Sequence, residues 1–287
     1  MLRLKKASNL LELTFPRSTL VCASAAVLGV LISGSRDLIQ MLFAGVTFSL
    51  ISATFFSLDS LVDIEIDRVS RPNRPLPSGR VGYAQARRLV FLLFLSCVGV
   101  MVVYWSFATN LIPLTLSLAC LALAVLYSIP PRLSEVPLLS NGIVASLFTL
   151  FPILTGWAIS RPMGEAPLTI LAAVFFLAWG DMEDFVDLEG DRSRGTRTLP
   201  IVVGEKAAGA VLAGLCFFSL LIGFLDLLTT RRLYWLVSLP LQGIVFLLTS
   251  TLLRSPSREQ IRFRHSSSEV LVFAAGMVLG LGYMLIG

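Results

Sequence analysis

The chain has 287 residues, 55% of them hydrophobic and only 14% charged, with a mean hydropathy of +0.82. Soluble domains carry about 25% charged residues, so an ordinary soluble protein is excluded. The expectation is an all-α polytopic membrane protein, formed as one membrane-embedded domain over residues 1–287. The formal net charge of +5 calls for no nucleic-acid partner, because positive inner loops and attraction to anionic membrane lipids account for it.

The first 16 residues are basic and amphipathic and end at Pro16-Arg17. They read as an interfacial helix leading into the first span rather than as a cleaved signal. Apolar runs of membrane length then predict nine transmembrane helices around one central cavity. The first covers Thr19–Gly34. The second runs from Leu38 to about Asp67 and enters an acidic end near Asp59. The next three are Arg88–Phe107, Leu111–Ile129 and Asn141–Ile159. The sixth starts near Leu168 and enters its acidic end near Asp181. The last three are Ala207–Leu228, Leu233–Leu252 and Val270–Ile286. With the N-terminus inside, the inner segments hold 19 of the 23 Lys and Arg, and the outer loops hold only Arg36, Arg161, Arg231 and Arg232. That bias sets the N-terminus in the cytoplasm of a cell membrane and the C-terminus outside.

Cys22, Cys97, Cys120 and Cys216 all lie in apolar runs without a C-x-x-C pair and read as small core hydrophobes. His265 is the only histidine. It is expected to be solvated in a basic loop.

Ten of the 18 acidic residues fall between Asp59 and Asp67 or between Asp181 and Asp191. Asp59, Asp63 and Asp67 are spaced i, i+4, i+8, and Asp184, Asp187 and Asp191 are spaced i, i+3, i+7, so each set is one helix face. Both faces end on the cytoplasmic side in the predicted topology. An aspartate inside the bilayer costs about 2.5–3.5 kcal/mol, so several on one helix need a counter-charge. Carboxylate faces are hard oxygen donors that suit Mg2+, which takes one or two carboxylates plus substrate phosphate oxygens. Two facing stripes with two Mg2+ ions would clamp a diphosphate. The competing reading is a solvated cytoplasmic rim. The two motifs also resemble each other. Asp63-Ile-Glu-Ile-Asp67-Arg68 and Asp187-Leu-Glu-Gly-Asp191-Arg192 are each followed by arginines and then Leu-Pro. A duplication of spans one to four as spans five to eight would produce this pattern.

The stretches DIEIDRVSRPNRPLPSG and DLEGDRSRGTRTLP closely resemble the two signature regions of the UbiA superfamily of intramembrane prenyltransferases. Leu126-Tyr127-Ser128 leading to Arg132, and Ser140-Asn141, resemble that family's fourth and fifth spans. Two positions depart from the pattern: Asp59-Ser60 stands where the family has Asn-Asp, and Trp179-Gly180-Asp181 stands where archaeal-lipid relatives carry Arg-Glu.

The resemblance implies transfer of a polyprenyl group from its diphosphate to a lipid or aromatic acceptor. Asp63, Asp67, Asp187 and Asp191 would be catalytic, and with Asp59 and Asp184 they would hold the metal. Arg68, Arg74, Arg132 and Arg192 would face phosphate, with Tyr127, Arg132 and Asn141 positioning the acceptor or the diphosphate. The motif wording is closest to the archaeal ether-lipid subgroup, whose acceptor is geranylgeranylglyceryl phosphate. An aromatic quinone precursor such as 4-hydroxybenzoate is the alternative, and a cation-coupled transporter is a distant one. No general base is visible in the sequence.

Overall fold

The computed structural model describes residues 2–107, 110–254 and 257–286, and among them there is helix but no β-strand. The helices in chain order are α1 (Leu2–Glu12), α2 (Pro16–Ile32), α3 (Leu38–Val62), α4 (Ile64–Ser70), α5 (Tyr83–Phe107) and α6 (Ile112–Ser128). They continue with α7 (Leu139–Ala145), which runs through a π-helical turn at Ser146–Leu150 into α8 (Phe151–Ala158), and with α9 (Leu168–Trp179). Three short helices follow, α10 (Glu183–Val186), α11 (Leu188–Arg194) and α12 (Leu199–Val203), and then α13 (Glu205–Thr230), α14 (Tyr234–Ser250) and α15 (Arg258–Ile286).

Among the described residues, six segments are long and apolar enough to cross a membrane: Leu38–Val62, Tyr83–Tyr104, Leu139–Ala158, Glu205–Thr230, Tyr234–Arg254 and Arg258–Leu285. Pro16–Ile32 and Ile112–Ser128 are shorter apolar helices. Large apolar side chains such as Phe91, Leu95, Phe217, Phe224, Val237 and Leu247 point outward, as a lipid solvent allows and water does not.

Helix ends differ from the sequence reading at three places that matter for function. Helix α3 stops at Val62 instead of running to Asp67. Helix α9 has only 12 residues, about 18 Å at 1.5 Å per residue, and ends at Gly180. A Cβ at Gly180 would sit 2.3 Å from Cys216 Sγ, so glycine lets the end of α9 press against α13. Helix α15 starts at Arg258, twelve residues before the predicted span, and so carries His265 on a helix instead of in a loop.

Local chemistry explains several of the starts. Pro16 opens α2, where its missing N–H has no helical partner to lose. Asp37 caps α3, its Oδ1 accepting from Ile39 N at 2.8 Å. Helices α2 and α8 cross closely through small residues, the usual solution when lipid supplies no hydrophobic drive. A Cβ on Gly29 would lie 2.3 Å from the Ile153 carbonyl oxygen, and one on Gly156 would lie 2.1 Å from that of Ala26.

Gly156→Ala should therefore push α2 and α8 apart. Overpacking of this kind costs about 1–3 kcal/mol and should lower the thermal unfolding midpoint in detergent by several degrees. Gly214→Ala, where an added Cβ meets nothing within 4 Å, should leave the midpoint unchanged. Equal midpoints for the two variants would refute the close crossing.

Candidate active site

Each acidic motif sits at a bend, not on a straight helix. The middle aspartate is the hinge in both. Asp63 has φ −94° and ψ 18° between α3 and α4, and Asp187 has φ −95° and ψ 2° between α10 and α11. The i→i+4 backbone bonds persist across each bend. Asp63 N donates to Asp59 O at 2.8 Å and Asp67 N to Asp63 O at 2.9 Å. In the second motif, Asp187 N donates to Glu183 O at 3.2 Å and Asp191 N to Asp187 O at 3.0 Å. The helical register therefore survives, and the aspartates still share a face.

The two motifs meet at Gly190. A Cβ there would lie 2.3 Å from Ser70 Oγ and 2.7 Å from Ile66 O, so only glycine lets α11 lie against α4. Gly190 N donates to Ser70 Oγ at 3.2 Å, and Ser70 Oγ donates to Asp187 O at 3.3 Å. From α15, Arg258 Nη1 donates to Phe185 O at 3.0 Å and Arg262 Nη2 to Ser70 O at 2.8 Å. This helix thereby ties down both motifs. All six motif aspartates line one chamber of about 650 Å³.

Counter-charge comes from a specific subset of arginines. Arg74 Nη1 donates to both carboxylate oxygens of Asp67, at 2.7 and 2.9 Å. Its guanidinium also lies 4.7 Å from the centre of the Phe15 ring. Arg132 holds a left-handed backbone (φ 54°) and reaches Asp63 at 2.5 Å. Tyr127 lines the same wall. Arg68 and Arg192, also expected to face phosphate, do not line the chamber. Arg68 is exposed and pairs with Glu65 at 2.6 Å, and Arg192 is exposed and pairs with Glu205 at 2.8 Å. Each follows a motif aspartate by one residue, which rotates it about 100° off the acidic face.

The sequence reading passed over Arg71 and Arg194. Arg71 binds Asp187 Oδ2 at 2.8 Å and also pairs with Glu183, bridging the two motifs. Arg194 Nη1 lies 3.7 Å from Asp63 Oδ1. The signal was spacing: Arg71 continues the 59–63–67 progression, and Arg194 stands three residues after Asp191. The solvated-histidine expectation is also corrected. His265 is buried, with Nδ1 2.8 Å from Asp181 Oδ1 and Nε2 2.8 Å from Glu183 Oε2. His265 stands on the polar first turns of α15 and is the partner that these two carboxylates share.

Burial dominates the electrostatics of the second motif. Burial, aided by the nearby charges of Glu183 and Asp181 and opposed by a backbone hydrogen bond from Leu199, pushes the Asp184 carboxyl up to about 7. Burial and the neighbouring Asp187 and Asp184 push Asp191 up to about 8. Burial raises Asp187 to about 7 against the pull of Arg71. It also opposes ionisation of Glu183, but Arg71 and His265 outweigh it and hold that carboxyl below the usual range. Asp184 Oδ2 and Asp187 Oδ1 are buried with no hydrogen-bond partner. An all-carboxylate donor set with unpartnered buried oxygens fits a hard divalent cation such as Mg2+.

A second, largely apolar pocket of about 300 Å³ adjoins the chamber. Phe56, Asp59, Tyr127 and Asp184 line both. Asn141 lines the apolar pocket alone, which extends among Leu28, Phe148, Ile153, Val174 and Met277.

The sequence profile of the UbiA prenyltransferase family matches residues 19–282. The digeranylgeranylglyceryl phosphate synthase of Methanosarcina mazei is 32% identical over 291 residues, covering 93% of this chain and 97% of that protein. The Methanopyrus kandleri protein of the same name is 35% identical over 201 residues, covering 69% and 70%. A solved UbiA homolog from Archaeoglobus fulgidus, bound to GPP and Mg2+, has the same fold, with a TM-score of 0.70 at 21% identity over 94% of this chain and 98% of that one. With the family profile and these relatives, apolar helices around a polar chamber and an adjoining apolar pocket identify an intramembrane prenyltransferase. The chain belongs to the UbiA prenyltransferase family.

Arg71→Ala should lower prenyl transfer by about 100-fold or more, because it strips counter-charge from two carboxylates of the chamber at once. Arg68→Ala and Arg192→Ala should stay within a few-fold of the parent. Steady-state rates that rank Arg68 or Arg192 above Arg71 would contradict the ion-pair map.

Proposed function

We propose that this protein transfers a geranylgeranyl group from its diphosphate to geranylgeranylglyceryl phosphate, forming the second ether bond of an archaeal-type lipid. The observation that carries this reading is the chamber itself. Two acidic faces close on one cavity, two of their buried oxygens lack partners, and an apolar pocket opens beside them. Relatives named for this reaction that align over nearly the whole chain support the choice of acceptor.

Asp59, Asp63 and Asp67 would hold one Mg2+ and Asp184, Asp187 and Asp191 a second. Held there, the metal would supply the positive charge that neutralises the diphosphate as the allylic C–O bond breaks. Arg74 and Arg132 set their guanidinium groups around the first aspartate face. Arg71 fixes the second face relative to the first, so the carboxylates need not reorganise during the reaction. The prenyl chain lies in the apolar pocket, and its walls keep water from the allylic cation. Tyr127 and Asn141 border the reacting end. Arg17, in the first turn of α2, lines both cavities and has no ion-pair partner among the described residues. It suits the anionic head of the acceptor.

In the membrane we place the N-terminus and both motifs on the cytoplasmic side and the C-terminus on the other. This uses nine crossing segments, with α2, α6 and the short α9 counted beside the six long ones.

Purified protein supplied with Mg2+, geranylgeranyl diphosphate and a panel of acceptors tests the reading. Transfer to geranylgeranylglyceryl phosphate should dominate, stop on chelation, and fall by about 100-fold or more in Asp63→Ala and in Asp191→Ala. Transfer to 4-hydroxybenzoate with none to the glyceryl phosphate would overturn the acceptor. Near-parent rates in either variant would overturn the two-faced site.

A further inference from the structure

A hydroxyl acceptor must lose a proton as its oxygen attacks, and the aspartates proposed to hold metal are poor candidates to take it. The reacting carbon of the donor has its diphosphate in the polar chamber and its chain in the apolar pocket, so it lies where the two cavities join. Besides Asp59 and Asp184, proposed as metal ligands, the groups lining both cavities that could accept a proton are Tyr127, Glu183 and Glu269. Glu183 is engaged on both oxygens, by Arg71 and by His265 Nε2 at 2.8 Å. A neutral phenol such as Tyr127 is a weak base.

Glu269 is different. Its side chain is 51% exposed and opens onto both cavities. Among the described residues it makes no ion pair with an arginine, and His265 Nε2, one turn earlier on α15, lies 3.8 Å from its Oε1. It also lies inside Arg258–Leu285, a segment apolar enough to cross a membrane. It stands where the charged first turns of this helix give way to its apolar run, on the lining of both cavities.

We propose that Glu269 is the general base of the transfer, an inference that rests on the hydroxyl acceptor assigned above. The acceptor oxygen forms a bond to C1 of the prenyl group while the C1–O bond to the diphosphate breaks. The bonding pair leaves with the diphosphate, and the hydroxyl proton passes to the Glu269 carboxylate. Before the next turnover the proton leaves through the polar chamber. His265, hydrogen-bonded to Asp181 and Glu183, keeps Glu269 facing the junction of the cavities.

The test compares Glu269→Gln and Glu269→Asp with the parent on two acceptors, geranylgeranylglyceryl phosphate and its analogue with a thiol in place of the free hydroxyl. Glu269→Gln should lower kcat on the hydroxyl acceptor by about 100-fold or more, with the donor KM nearly unchanged. Its defect should shrink at least about tenfold on the thiol, which ionises without strong base help. Glu269→Asp should recover part of the loss. Glu269→Gln turnover within a few-fold of the parent, or an equal defect on both acceptors, overturns the assignment. No transfer to the glyceryl phosphate by the parent protein is a separate result. It removes the hydroxyl acceptor and the base with it.

Discussion

Like charges drawn together away from water set the terms for this molecule. Six aspartates share one chamber of about 650 Å³. Two unit charges 4 Å apart repel by about 4 kcal/mol at an effective dielectric of 20, and burial adds a desolvation cost to each. The raised carboxyls of Asp184, Asp187 and Asp191 express that cost. A group in this state gains more from a cation than an ordinary surface carboxylate does. The same repulsion that burdens the fold suits the chamber to a divalent cation.

The surrounding structure offsets the repulsion without removing it. Arg74 and Arg132 each take one aspartate of the first motif, and Arg71 crosses to the second. Asp184 Oδ2 and Asp187 Oδ1 are left without partners. Backbone geometry makes this division possible. The paired bends at Asp63 and Asp187 turn the ends of the motifs toward each other, and Gly190 lets α11 rest on α4. Helix α15 then holds both motifs through Arg258 and Arg262.

Much of this was legible in the chain. Aspartate spacing marked both faces, because a helical register of 3.6 residues survives a bend that keeps its i→i+4 bonds. The apolar runs located the long helices. What the chain hid was which arginine of a basic loop turns inward. Position along the stripe decides this: Arg71 and Arg194 fall on the acidic faces, whereas Arg68 and Arg192 stand one residue past an aspartate and face out. The extent of α15 was hidden for another reason. Its first turns carry Arg258, Arg262, Arg264 and His265 and look like a loop to any measure of hydrophobicity. Their partners are distant in the sequence: Phe185 for Arg258, Ser70 for Arg262, and Asp181 and Glu183 for His265. The shortness of α9 was hidden likewise, since the Gly180 contact with Cys216 is long-range.

The central claim is that both motifs hold one diphosphate between them through metal. A structure of the full chain with Mn2+ in place of Mg2+ and a non-reactive thiolo analogue of geranylgeranyl diphosphate addresses it directly, because anomalous scattering locates the metal. The account predicts metal peaks bonded to oxygens of the Asp59–Asp63–Asp67 face and of the Asp184–Asp187–Asp191 face, with the diphosphate between them and the chain in the apolar pocket. Metal bonded to one face alone, or to Asp181, Glu183 and His265 instead, would contradict it.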